Sequence, residues 1–134
     1  MNENQRRINR TLAGYTCSLM NDTKWREVLD LVGRYNQQVQ FAFVRDETFL
    51  SLTAFPEGGT KGDCSTDCTA HGPFFLREIY ALHCPLPDEK KDPKTGRKYR
   101  DETDYRRFIA ALKALGQLPL AEDETGVTLY AYRK

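Results

Sequence analysis

The chain has 134 residues, of which 40% are hydrophobic and 29% charged, and its formal net charge is +1 at pH 7. This composition is typical of one globular domain spanning residues 1–134 and excludes a disordered chain. The near-neutral charge makes nucleic acid an unlikely partner. Because the sequence lacks both a membrane-spanning apolar run and a secretory signal, we expect a cytoplasmic protein with no membrane partner.

The N-terminal part of the chain predicts two amphipathic helices. Within residues 1–20, apolar side chains recur three or four positions apart. Residues 21–35 have the clearest helical pattern, because Asn21 or Asp22 can cap the first turn and an apolar stripe follows. The stripe consists of Trp25, Val28, Leu29, Val32 and Tyr35. We expect this helix to lie across a sheet, with the single tryptophan as its largest anchor.

Runs of β-branched and aromatic residues predict the strands of that sheet. They are expected at 39–44, 49–55, 74–84, 118–121 and 127–132. Segment 74–84 is apolar on both faces, so we place it at the centre. A third helix is expected at 101–115, with Asp101 as its cap and Gly116 just beyond its end. Strands in runs indicate an α+β fold, a mainly antiparallel sheet of about five strands with two or three helices packed on one face.

Two long polar segments, 56–72 and 85–100, separate the predicted elements. Long segments without regular structure are usually functional or disordered. In segment 85–100, basic and acidic residues are interleaved, which indicates a solvated loop rather than a nucleic-acid stripe. The two polar loops could form a specific surface for a partner protein. The residues that we expect to contact a partner protein are Lys61, Asp63, Asp67, Asp88, Glu89, Lys90 and Lys91.

The four cysteines are expected as thiols or metal ligands in a reducing compartment. Cys64, Cys68 and His71 lie close together in the sequence, and either Cys84 or His83, at the end of a predicted strand, could be a fourth ligand. Thiolate and imidazole are ligands of structural zinc, so these residues could form one site. The spacings match known zinc motifs only in part, and we therefore favour no metal and no cofactor. No nucleophile with a paired base is identifiable, and we do not expect an enzyme.

Four short stretches together resemble a known family. They are NDTKWRE at 21–27, REI at 77–79, ALKALGQLP at 111–119 and ETGVTLYAY at 124–132. These stretches resemble a family of small bacterial proteins of unknown function that have an Asn-Asp-Thr-Lys-Trp opening and a Gly-x-x-x-Tyr-x-Tyr ending. Proteins of this size and style resemble immunity proteins, and the resemblance implies no catalytic activity.

The function that we expect is therefore that of an immunity protein. Such a protein would bind a cognate bacterial toxin and cover the active site or target-binding site of that toxin. The alternative is a zinc-stabilised module that binds nucleic acid or a regulatory partner.

Overall fold

The computed structural model describes residues 3–15, 17–69 and 72–133, with side chains from residue 6 onward. Its helices are α1 (Glu3–Leu12), α2 (Asp22–Arg34) and α3 (Thr103–Ala114). Its strands are β1 (Cys17–Ser18), β2 (Gln38–Phe43), β3 (Thr53–Ala54), β4 (Thr60–Lys61), β5 (Cys64–Ser65), β6 (Ile79–Pro85), β7 (Lys90–Lys91), β8 (Lys98–Tyr99), β9 (Leu120–Asp123), β10 (Gly126–Tyr130) and β11 (Tyr132–Arg133).

The main sheet has five antiparallel strands in the order β3–β2–β6–β10–β9. The other strands pair in short hairpins or ladders, β1 with β11, β4 with β5 and β7 with β8. This arrangement confirms the predicted α+β class. It also places β6, from the segment predicted to be central, in the middle of the sheet. Among the described residues, no helix has both the length and the apolar character needed to cross a bilayer.

Helix α2 forms as its sequence predicts. The side chain of Asn21 accepts a hydrogen bond from the backbone N–H of Lys24 at 2.8 Å, which satisfies one of the open donors of the first turn. Trp25 is only 2% exposed, and Leu31 extends the predicted stripe of buried residues. Tyr35 follows the last turn as its C-cap and packs at 6.2 Å from the ring of Phe108 on α3. The two helices thus share one core.

That core lies between the helices and one face of the sheet. Phe41 and Leu129 flank Leu82 on neighbouring strands, and all three side chains are buried in the same cluster as Trp25 and Phe108. Side chains alternate between the two faces of a strand. The opposite face therefore carries the neighbouring positions, which include Gln40, His83 and Thr128.

The predicted strand at 49–55 was wrong in extent. Only Thr53 and Ala54 form a continuous ladder with β2, and Phe49 forms a single bridge with Ala42. The chain turns after β2, where Glu47 has a φ of 59° and its N–H donates to the carbonyl of Phe43. Phe55 in this segment is buried, whereas Phe49 and Leu52 are exposed, so its apolar pattern corresponds neither to strand pairing nor to burial along the whole segment.

The predicted strand at 74–84 also begins later than expected. Residues Leu76–Glu78 form a turn of 3₁₀-helix, and the carboxylate of Glu78 accepts a hydrogen bond from the N–H of Phe75 at 2.7 Å. The strand pairs only from Ile79. Phe74 and Leu76 are nevertheless buried, so they contribute to the core from outside the ladder.

Three further boundaries differ from the sequence prediction. Helix α1 ends at Leu12, and part of the segment expected to continue it pairs as β1 with the C-terminal β11. Helix α3 begins at Thr103 rather than at the predicted cap, and the carboxylate of Asp101 accepts a hydrogen bond from its N–H at 3.1 Å. The two polar segments are not wholly irregular, because each contains a β-hairpin whose strands are two residues long.

Candidate partner-binding surface

The charged residues predicted to contact a partner lie in two groups. Lys61, Asp63 and Asp67 lie on or just after the β4–β5 hairpin, and the other four lie at and before β7. All of them are exposed. Within 3–15, 17–69 and 72–133, none takes part in an ion pair; the pairs found there join Lys24 to Glu27, Arg34 to Glu57, Arg106 to Glu102 and Lys113 to Glu122.

The first group is fixed to α2 by hydrogen bonds. Arg26 donates from Nη1 to the carbonyl of Gly62 at 2.6 Å, and the carboxylate of Asp30 accepts from the N–H of Gly58 at 3.0 Å. The N–H of Phe74 donates to the hydroxyl of the buried Ser65 at 3.0 Å. Residues 58–65 are therefore held in place, and their hairpin presents Lys61 to solvent.

The second group borders a cleft of about 680 Å³ at the end of the central strand β6. Its lining includes three large side chains with apolar surface, Leu52, Leu86 and Tyr105, which we term the apolar wall, and Leu52 is 51% exposed. Most of the other lining residues are polar or charged, and protein interfaces commonly combine apolar anchors with a polar rim. We therefore take this cleft, with the charges beside it, as the candidate functional site.

Hydrogen bonds hold Tyr105 and the backbone of Leu86, two of the three residues of the apolar wall, in place. The hydroxyl of Tyr105 donates to the carbonyl of Cys84 at 2.7 Å, and burial raises the pKa of Tyr105 to about 12. The N–H of Leu86 donates to the carbonyl of Thr125 at 2.9 Å. A wall that is already ordered loses little conformational entropy when a partner binds.

The rim of the cleft carries more negative than positive charge. Asp88, Asp101 and Asp104 face one cation, Lys90, among its lining residues. The backbone N–H of Thr103 donates to Asp101 and lowers the pKa of that carboxyl group, which keeps it ionised. In the part of the chain that the structure describes, the carboxylates of Asp88 and Asp104 have no hydrogen bond or ion pair. Their charges therefore face solvent.

Sequence reasoning found only part of this site. Asp88 and Lys90 are predicted as partner contacts, whereas Asp101 is predicted as a helix cap. Asp104 is not among the predicted contacts, and Leu52 is predicted to lie in a strand. Acidic residues at a helix start are common because they favour the positive end of the helix dipole. That local role conceals any second role, and no signal in the sequence separates the two.

A second cleft, of about 380 Å³, lies on the other side of Leu86 and Tyr105. It separates α3 from the β9–β10 hairpin. Lys113 on the helix pairs with Glu122 on the hairpin at 2.8 Å, so two of its lining charges already neutralise each other. This pairing makes it the weaker candidate for binding a charged partner.

The structure places the predicted zinc ligands in different surroundings. Cys84 is 2% exposed in the core, and burial raises the pKa of its thiol to about 12. Cys64 is half-buried in β5, where burial and a hydrogen bond to Asp63 raise its pKa to about 11. The thiol of Cys68 lies 3.7 Å from the carbonyl of Gly59. Cys84 is thus buried, whereas Cys64 and Cys68 are partly exposed.

His71 lies outside the described residues, so the geometry of the complete predicted set stays open. Among the residues that are described, no three His, Cys, Asp or Glu side chains are grouped as a metal site would require. Zinc binding remains a prediction.

Comparisons with known proteins provide no functional assignment. No protein-family model, curated protein or solved structure matches this chain. The resemblance of 21–27 and 124–132 to a family of small bacterial proteins therefore also stays a prediction.

Proposed function

We propose that this protein binds a partner protein through the cleft at the end of β6 and the charged segment beside it. The partner that we propose is a bacterial toxin, which binding would neutralise by covering its active or target-binding site. The observation that carries the proposal is the cleft itself, with its ordered apolar wall and a rim of solvent-facing charges.

Neutralisation by covering a site depends on shape and charge rather than on chemistry. Interfaces of this kind concentrate their binding energy in a few apolar or aromatic anchors, and surrounding charges set the encounter rate and the choice of partner. The cleft offers both classes of contact within one surface. The exposed β4–β5 hairpin, which carries Lys61 and Asp63, is a second surface that a large partner could contact.

The test is co-expression of this protein with the open reading frame next to its gene. We expect the neighbouring product to stop growth when expressed alone, and to be harmless and to co-purify with this protein when both are expressed. A neighbouring product that is harmless alone, or toxic in both cases, would contradict the toxin-neutralising role.

A pair of charge reversals then locates the surface. Lys90→Glu reverses one charge in the second group of predicted contacts, beside the cleft. Arg10→Glu makes the same change of charge on the exposed side of α1, away from the cleft lining. We expect Lys90→Glu to change the amount of protein that co-purifies, because it makes the cleft more negative, and Arg10→Glu to leave it unchanged. The opposite pattern would place the interface elsewhere on the protein.

The zinc-stabilised alternative has its own test. Metal analysis of protein purified without chelator should show about one zinc per chain if Cys64, Cys68 and His71 hold a metal. Absence of zinc would leave this alternative without its structural basis.

A further inference from the structure

Given the proposed function, on which this step rests, we infer that the cleft receives a lysine or arginine side chain of the partner protein, with an apolar side chain of the same segment against Leu52 and Leu86. The charge at the rim and the exposure of the apolar wall together indicate that side chains of this kind bind in the cleft.

The charge at the rim selects a cation. Three carboxylates and one ammonium group line the cleft, an excess of negative charge in a chain whose overall net charge is +1. Two of these carboxylates have obvious structural roles: Asp101 accepts from the N–H of Thr103, and Asp104 lies in the first turn of α3, where the helix dipole favours a negative charge. Asp88 lies outside any helix or strand, so neither role explains it.

The wall of the cleft selects an apolar neighbour for that cation. Leu52 is the most exposed large apolar side chain among the described residues, at 51%. Leu86 lies half-buried in the same lining, beside the fixed ring of Tyr105. Burying such a surface against an apolar side chain is favourable by about 25 cal/mol per Å². A long basic side chain also suits this cleft, because its methylene groups can pack on the wall while the charge reaches the rim.

The probe is a library of random dodecapeptides displayed on phage and selected on the immobilised full-length protein at low salt. Selected peptides are synthesised with a fluorophore, and their affinity is measured by anisotropy. We expect them to be rich in lysine or arginine next to an apolar residue, and to bind more weakly as salt rises. Failure to select peptides, or selection of peptides without basic residues, would overturn the inference.

Matched variants show whether the selected peptides occupy the cleft. Asp88→Lys should weaken binding by about 10-fold, because it replaces an attraction by a repulsion, whereas Asp67→Lys makes the same change of charge on the other segment and should weaken it by less than about 2-fold. Leu52→Ala should weaken binding several-fold, and Phe49→Ala, at an exposed aromatic outside the lining, should not. Equal effects of Asp88→Lys and Asp67→Lys would refute a specific site.

A second copy of this chain is the competing occupant, since α1 carries exposed Arg6, Arg7 and Arg10. Sedimentation measurements on the free protein show whether it is a monomer or a dimer. A dimer that Asp88→Lys disrupts would replace the inferred partner segment and overturn the proposal, whereas a monomer supports it.

Failure of this inference is distinguishable from failure of the proposed function. If peptides bind in the cleft but the neighbouring gene product is harmless, only the toxin-neutralising role is contradicted. Neutralisation that Asp88→Lys leaves intact would contradict the cleft as the binding site, while the toxin-neutralising role would stand.

Discussion

Replacing Gly33 by alanine tests how closely segment 56–72 packs on α2. Gly33 lies in the last turn of the helix. A Cβ atom at this position would lie 2.0 Å from the backbone N of Glu57 and 2.5 Å from the carbonyl carbon of Pro56. Such contacts are essentially never below 3.0 Å, so the helix and the crossing segment would have to separate.

The expected loss of stability is the difference between two opposing contributions to the free energy of unfolding. In an unobstructed helix interior, glycine to alanine is favourable by about 1 kcal/mol. Inserting a methyl group into a packed site costs about 1–3 kcal/mol. The upper end applies here, because the obstacle is backbone that is held by Asp30, whose carboxylate accepts from the N–H of Gly58 at 3.0 Å. The free energy of unfolding should therefore fall by about 2 kcal/mol.

Urea denaturation followed by far-ultraviolet circular dichroism measures this change. Ala110→Gly, on the exposed side of α3, serves as the control for helix propensity and should lose about 1 kcal/mol. A Gly33→Ala protein that is as stable as the parent, or more stable, would show that the helix and segment 56–72 do not pack as described.

Three other predictions concern the core and the wall of the cleft. Trp25→Ala should lower the free energy of unfolding by about 3–5 kcal/mol, because the ring is almost fully buried; a loss below about 1 kcal/mol in urea denaturation would contradict that packing. Tyr105→Phe removes the hydrogen bond to the carbonyl of Cys84 and should cost about 1 kcal/mol by the same measurement, whereas an unchanged value would show that the bond contributes nothing. Burial raises the pKa of Cys84 to about 12, so the folded state holds this proton more tightly than the unfolded chain does. The stabilisation that this difference in pKa gives to the folded state should be complete below the unfolded thiol pKa of about 8.5 and should fall as pH rises above it. Cys84→Ala should therefore reduce the slope of the free energy of unfolding against pH in this range, and an unchanged slope would refute this role of Cys84.

The elements predicted correctly are those whose signals are local. Asn21 caps α2, and Trp25 anchors it, because capping and helical periodicity act within a few residues. Gly116 follows α3 with a φ of 125°, as expected of a residue just beyond a helix. The central strand was also recognisable, since a strand covered on both faces is apolar at consecutive positions.

The strands that were placed wrongly show what an apolar pattern actually reports. Phe55, Phe74 and Leu76 are all buried, yet none lies in a ladder of the main sheet. β-branched and aromatic residues are enriched wherever side chains pack on a half-buried surface. Whether such a segment pairs depends on backbone partners elsewhere in the chain, such as Gln38 and Val39 of β2, which pair with β3. That information is not local.

The candidate site was predictable only as a set of exposed charges. The cleft is formed by residues 36–38, 52, 85–88, 90, 101, 104 and 105, which come from separate parts of the sequence. Nothing in any one of these segments predicts that the others lie beside it. The sequence could therefore suggest Asp88 and Lys90 as contacts, but not the apolar wall opposite them.

The position of the cleft follows from how the central strand ends. Pro85 has no N–H to donate, and its partner Gly126 is so close that a Cβ there would lie 2.3 Å from the carbonyl of Cys84. Only glycine fits this contact, with a φ of 144°. The chain then leaves the sheet through Leu86 and Pro87, which opens space beside α3 while the hydrogen bond from Tyr105 holds the strand end. A partner that binds here would meet a wall whose Tyr105 is already fixed, and a carboxylate, at Asp88, that makes no hydrogen bond or ion pair among the described residues.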